Sequence, residues 1–428
     1  MKTILVATDR KFWRQEQGSA KRISDLHQYL TRKNFKVFVF FIGKLTKNDI
    51  NLIQTTYNES FIVINGNRCI NINCDTTAIN YFQRLKLLLK KKAKRLKDFL
   101  LRLTQKRKYS IRNLETSDFF NREWQEYFRS ICRQINPDVI IVEYIRLAYL
   151  IQDFHKFIPN RPLTIIDTHD VAHQRYQTFQ AHGEQEIKIT EEEEKQLLSL
   201  FDVVLAIQGK DKQVFKKMLP KQKVIQAGYA CDVKFHDFSS KPPVNITYVG
   251  GPNVSNKRAI AHFITNVWEP LSVKFQRNVK LNLVGRICET LSELKLPNNV
   301  KKIGWAEDLN RVYQEADIAI NPVYFGTGLK IKNVEALCNG KPLVTTTIGA
   351  EGLEHGINDA FFVSDKPEEM IEQLSSLIED QELRRQVAKK AYNFACENFG
   401  EERVYQELYQ VLTAPVTQEN IVALDIRE

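Results

Sequence analysis

NPVYFGTGLKIKNVEALCNGKPLVTTTIGAEGL, Asn321 to Leu353, is the stretch around which the chain is organised. It begins at the end of an apolar run, DIAINP from Asp317, that reads as a buried strand. A loop spaced by Gly326 and Gly328 follows, and then a helix over about 330–338, stopped by Gly340. Pro342 excludes more helix, and the β-branched run Leu343 to Thr347 reads as the next strand. The unit is therefore strand, loop, helix, strand. Glycines keep side chains out of the loop, so backbone N–H groups and a helix N-terminus face the same space, which suits a diphosphate. Lys330 adds a mobile positive charge. Ile331, Val334 and Leu337 or Cys338 recur at helical spacing and face the core, leaving Glu335 on the flank of that face. A carboxylate there can accept two hydrogen bonds from a vicinal diol such as a ribose. Taken singly, the glycines read more readily as turn residues and the glutamate as a solvated one; their order along one unit carries the signal.

That ordered combination resembles the nucleotide-sugar site of family 4 glycosyltransferases of the GT-B fold. The resemblance implies that Gly326, Gly328, Leu329 and Lys330 meet the donor diphosphate and that Glu335 holds the nucleotide ribose. The family often has a second glutamate eight positions earlier, near the donor sugar; Thr327 stands there in this chain. A hydroxyl can hydrogen-bond a sugar but brings no negative charge.

A chain of 428 residues points to two or three domains, and 43% hydrophobic with 26% charged residues are globular values. No run of about 18 apolar residues occurs, so the expectation is a cytoplasmic chain without a spanning or targeting segment. Seven scattered cysteines without a CxxC pair read as reduced thiols, with no zinc site or disulfide framework. The formal net charge of +11 is local: Arg84 to Lys108 holds twelve Lys and Arg against Asp98 alone. A nucleic-acid binder with basic charge spread along its length is excluded. In that stretch Leu85, Leu88, Leu89, Leu96, Phe99 and Leu103 share one helical face, and basic residues cover the other. A basic amphipathic helix fits an anionic membrane surface; a helix packed on its own domain with a solvated basic face remains the alternative.

Elsewhere short apolar strands alternate with helices, as in a doubly wound parallel sheet. KTILVAT opens the chain, and Gly18 precedes the first helix where backbone can approach donor or acceptor. Leu163 to Asp167 leads into Thr168-His169-Asp170-Val171, at the strand end where open α/β sheets place ligands. The Asp-x-His-Asp-Val sequence resembles the family's amino-terminal loop, whose histidine approaches the donor sugar, so His169 is chosen over His173. The acidic run at Glu191 to Glu194 reads as a capped helix start on Thr190 and Glu193. After the polar segment Asp237 to Pro243 a second strand series starts with NITYVG. Gly250, Gly251, Asn253 and Lys257 form its first loop, where phosphate neutralisation and a plain tight turn are equally open.

The reading is an α/β protein of two Rossmann-like domains facing a cleft. Residues 1–238 form the acceptor side with a basic helical insert, 239–398 the nucleotide-sugar side, and 399–428 a helix crossing back to the first domain, with a tail. The implied activity is sugar transfer from a nucleotide sugar to a glycan or lipid-linked acceptor, retaining by resemblance, with no metal or other cofactor and no nucleic-acid partner. His169 and Lys330 are the candidate catalytic residues. A nucleotide-sugar epimerase on the same plan and a non-catalytic binding or scaffold protein are the alternatives.

Overall fold

The computed structural model describes residues 1–15, 18–56, 61–65, 68–70, 116–157, 161–236 and 242–414. The basic stretch 84–108 lies outside the described residues, as does most of the segment joining the two strand series. The first sheet comprises β1 (Thr3–Thr8), β2 (Lys36–Phe41), β3 (Phe61–Asn65), β4 (Arg68–Ile70), β5 (Val139–Glu143), β6 (Leu163–Asp167), β7 (Val203–Ala206) and β8 (Lys223–Gln226). Their spatial order is β4-β3-β2-β1-β5-β6-β7-β8, parallel throughout except for the antiparallel β4 at the edge. The second sheet comprises β9 (Val244–Val249), β10 (Val279–Val284), β11 (Val300–Gly304), β12 (Ile318–Asn321), β13 (Leu343–Thr345) and β14 (Phe362–Val363), in the order β11-β10-β9-β12-β13-β14. The strand order reverses between β1 and β5 in one sheet and between β9 and β12 in the other. Crevices open at the carboxyl ends of strands at such reversals, so each sheet offers one site.

The sequence dictates these sheets through burial on both faces. Along β1, Ile4 and Val6 enter one core while Leu5 and Ala7 enter the other, and all four are fully buried. The same alternation places Ile318 and Ile320 of β12 in one core of the second sheet and Ala319 in the opposite one. β13 ends at Thr345, two residues earlier than its β-branched run predicts. The Thr346 hydroxyl is taken by the Val323 carbonyl, and Thr347 by Asp365, which turns the chain out of the sheet. The expected capping box of Thr190 and Glu193 is present at the helix Glu191–Leu198. Among the described residues no helix is long and apolar enough to cross a membrane.

The last helix, expected over 401–412, forms as two pieces, Glu401–Val404 and Gln406–Thr413, with Tyr405 between them. Tyr405 packs on Tyr29 at 4.6 Å between ring centroids, and Leu408, Val411 and Leu412 join the core of the first sheet. Glu407 accepts from Lys212 and from the Gln226 backbone N–H, fixing the helix against β8. The helix Gln406–Thr413 thus covers one face of the first sheet. Truncating the fully buried Leu408 to alanine should destabilise the first domain by about 2–5 kcal/mol. Urea denaturation should show an early transition in Leu408→Ala that the parent chain lacks.

Candidate functional site

The two sheets face each other across a cavity of about 680 Å³, well within the range of small-ligand sites. Its second-domain wall begins where β12 ends. Gly326 and Gly328 turn the chain with φ of 125° and 76°, values that favour glycine. A Cβ on Gly328 would also stand 3.3 Å from the His169 carbonyl, so this glycine lets the first domain close onto the loop. The helix Ile331–Cys338 follows, with Lys330 in extended conformation as its N-cap residue. Thr327 lines the same wall, and its buried hydroxyl has no partner among the described residues. Gly250 and Gly251 contribute from the end of β9, and Asn253 caps the helix Val254–Phe263 by accepting from the Asn256 N–H at 2.8 Å.

Three residues singled out from sequence have partners that the sequence does not reveal. Glu335 Oε1 accepts from Lys21 Nζ at 2.8 Å and from the Tyr229 hydroxyl at 3.2 Å. Lys21 belongs to the first domain, so this pair crosses the cleft; burial opposes its charge, but Glu335 outweighs that and raises its pKa. Lys330 Nζ donates to the Gly328 carbonyl and to Glu351 at 3.3 Å, and burial lowers its pKa despite Glu351. Gly18 lines the cavity, but its Cβ would meet Ile331 at 3.0 Å: the close approach is between domains. Lys257 is exposed and stands outside the cavity wall.

Lys332 enters the wall instead. Its Nζ donates to Asn256 Oδ1 at 2.7 Å and to the Tyr248 hydroxyl at 3.1 Å, and no carboxylate pairs with it among the described residues. Burial, with Lys330 nearby, pushes its pKa down to about 7. The repeat of lysines in GLKIK carried this signal, but only the helix phase decides which one faces Asn256.

On the first-domain wall, His169 sits in a buried cluster at the ends of β5 and β6. Its Nε2 lies 2.6 Å from Glu143 Oε2, and Arg22 approaches Nδ1 at 3.5 Å. Burial, together with Arg22, Arg146 and Arg10, holds the imidazole well below its usual pKa. A neutral ring facing a guanidinium through Nδ1 keeps its proton on Nε2 and donates it to Glu143. Both ring nitrogens are thus engaged, and the ring stacks on Tyr144 at 4.0 Å. Ligand atoms of Glu143, Asp167 and His169 come within 4.8 Å of one another, a spacing open to a metal. Arg22 already supplies positive charge there, donating to Asp167 Oδ2 at 2.7 Å and to the carbonyls of Ala227 and Gly228.

Sucrose-phosphate synthase of Thermosynechococcus elongatus superposes with a TM-score of 0.68 at 13% identity, covering 96% of this chain and 98% of that one. The chain has the GT-B fold. Anabaena HepE, solved in complex with UDP, gives 0.63 at 12% identity, covering 96% of this chain and 100% of that one. Residues 243–380 match the family model described as Glycosyl transferases group 1. A curated relative, an uncharacterized 44.6 kDa protein in the cps region of Klebsiella pneumoniae, is 24% identical over 175 residues, 39% of this chain and 45% of the relative. The chain spans about half the length of the curated relatives it matches.

Arg22 is fully buried and its guanidinium ties β6 to the segment leading out of the first domain. Replacing it with methionine removes one partner of a buried pair and should cost about 3–5 kcal/mol. Chemical denaturation of Arg22→Met checks this; a loss under about 1 kcal/mol would mean Asp167 finds another partner.

Proposed function

We propose that this protein is a glycosyltransferase that carries a sugar from a nucleoside-diphosphate sugar to a glycan or lipid-linked acceptor across the cleft. The observation that carries the reading is the convergence, in one cavity, of the Gly326–Gly328 loop, a helix N-terminus, Lys332 without a carboxylate partner and the buried carboxylate of Glu335. The match to Glycosyl transferases group 1 supports it, as do the HepE structures solved with UDP and UDP-glucose.

On this reading the loop amides and Lys332 take the diphosphate, stabilising the charge that develops as the sugar leaves. Lys330 supports the loop through the Gly328 carbonyl. Glu335 exchanges Lys21 for the ribose diol. Thr327 lies on the donor-sugar side of the loop, and the His169 loop closes over it. Helix amides and lysine charge perform the leaving-group work without a metal, and the resemblance to family 4 enzymes implies retention at the anomeric carbon. The relative from a cps region supports a place in surface polysaccharide synthesis.

Calorimetry with UDP, GDP and ADP tests the reading. At least one should bind, and Glu335→Ala should weaken it by roughly 10- to 100-fold, the worth of hydrogen bonds to a charged acceptor. Lys332 adds a pH signature. Its folded-state pKa of about 7 lies below the ordinary 10.5, so above pH 7 a bound diphosphate must draw a proton onto it. Affinity should therefore fall as pH rises from about 7 to 9, by up to about tenfold per unit, and Lys332→Met should flatten that slope. Failure of all three nucleotides to bind would contradict the reading.

The stretch 84–108 gives the proposed enzyme a route to a membrane-borne acceptor. Each Lys or Arg near an anionic surface is worth about 1 kcal/mol. The full chain should co-sediment with anionic liposomes and be released by salt; indifference to lipid charge and to salt would remove the membrane from the account.

A further inference from the structure

Seven Lys and Arg side chains line the cavity, and five have carboxylate partners: Lys21 with Glu335, Arg146 with Asp9, Arg175 with Asp170 and Glu186, Arg286 with Glu289, and Lys330 with Glu351. Two lack one among the described residues. Lys332, on the second-domain wall, is accounted for by the donor diphosphate. Arg10, on the first-domain wall, is not.

Arg10 follows β1 by two residues, at the reversal between β1 and β5 where the first sheet opens its crevice. Its guanidinium carbon lies 4.9 Å from the centre of the Tyr144 ring, and that of Arg146 lies 4.1 Å from the same centre. One carboxylate serves the pair: Asp9 receives Nε of Arg146 at 2.7 Å on one oxygen and NH2 of Arg146 on the other, so both oxygens are taken. Arg10 Nε is sealed from solvent and finds no acceptor. The Tyr144 ring, stacked on His169, backs the Arg10 guanidinium at the cavity wall. A guanidinium that lines the cavity against an aromatic face and has no carboxylate partner is suited to hydrogen-bond a planar or tetrahedral anion through its terminal N–H groups.

We infer that Arg10 forms an anion subsite on the acceptor side of the cleft, so that the acceptor carries a carboxylate or phosphate group. This rests on the transferase reading, which assigns the first-domain wall to the acceptor. Carboxylate and phosphate share the recognition chemistry, as in a uronic acid residue or a sugar phosphate.

The test uses the full chain with saturating UDP, which keeps small anions out of the diphosphate subsite, and titrates glucose 6-phosphate, glucuronate and glucose by NMR. At least one anionic sugar should bind roughly tenfold or more tighter than glucose. Arg10→Gln should erase that preference and Arg10→Lys retain part of it, with UDP affinity and melting temperature close to the parent. Preference for glucose 6-phosphate alone assigns a phosphate, for glucuronate alone a carboxylate. The inference is overturned if neither anion outbinds glucose, or if Arg10→Gln keeps the preference. Should UDP fail to bind while the Arg10-dependent preference holds, the anion subsite stands and the transferase reading fails.

Discussion

Glu335 is a buried carboxylate whose positive partner comes from the other domain, and the site depends on that constraint. Lys21 Nζ, 2.8 Å away, is part-exposed on its side, while the Glu335 side chain is only 6% exposed. Removing one partner of such a pair leaves a charge that the protein interior solvates poorly. The pair therefore favours the closed cleft until a ligand offers Glu335 equivalent hydrogen bonds. On the proposed reading a ribose diol does so and frees Lys21. On that reading nucleotide binding and the contact between the domains are coupled through one carboxylate, which also accepts from the Tyr229 hydroxyl.

Backbone packing prepares the same closure. Gly18 sits against Ile331 and Gly328 against the His169 carbonyl, two places where a methyl group would be crowded by the facing domain. At the far rim Arg258 reaches Glu184 and the His182 carbonyl, and the His182 ring stacks on Phe325 at 4.5 Å. Behind the first-domain wall, Arg22 joins β6 to the Ala227–Gly228 segment and sets the environment that keeps His169 neutral. These contacts hold the cavity walls in register, so its polar groups are presented before any ligand arrives.

The fold was legible because strands of a parallel sheet are buried on both faces and read as continuous apolar runs; β1, β5 and β12 stand out for that reason. The three-residue β4 offered too short a run, and Thr346 and Thr347 leave the sheet because of hydroxyl bonds to distant residues. The second-domain loop was legible because its geometry is local: Gly326 and Gly328 need their φ whatever surrounds them. Partners were not legible. Nothing near Glu335 in sequence announces Lys21, 314 residues earlier. Gly18 was singled out for an approach to ligand, whereas its nearest neighbour is Ile331. Lys257 looked suited to phosphate but falls on the outer side of its helix, and Lys332 was passed over for Lys330 because helix phase at a capped start cannot be set from four residues. Arg10 did carry a positional signal, two residues after the first strand.

The most direct test of the exchange at Glu335 is a crystal structure of the full chain with a bound nucleoside diphosphate. The account predicts the ribose hydroxyls on Glu335, the diphosphate against the Gly326–Gly328 amides and Lys332, and Lys21 displaced from its present partner. A nucleotide bound elsewhere in the cleft, with the Lys21–Glu335 pair intact, would contradict it.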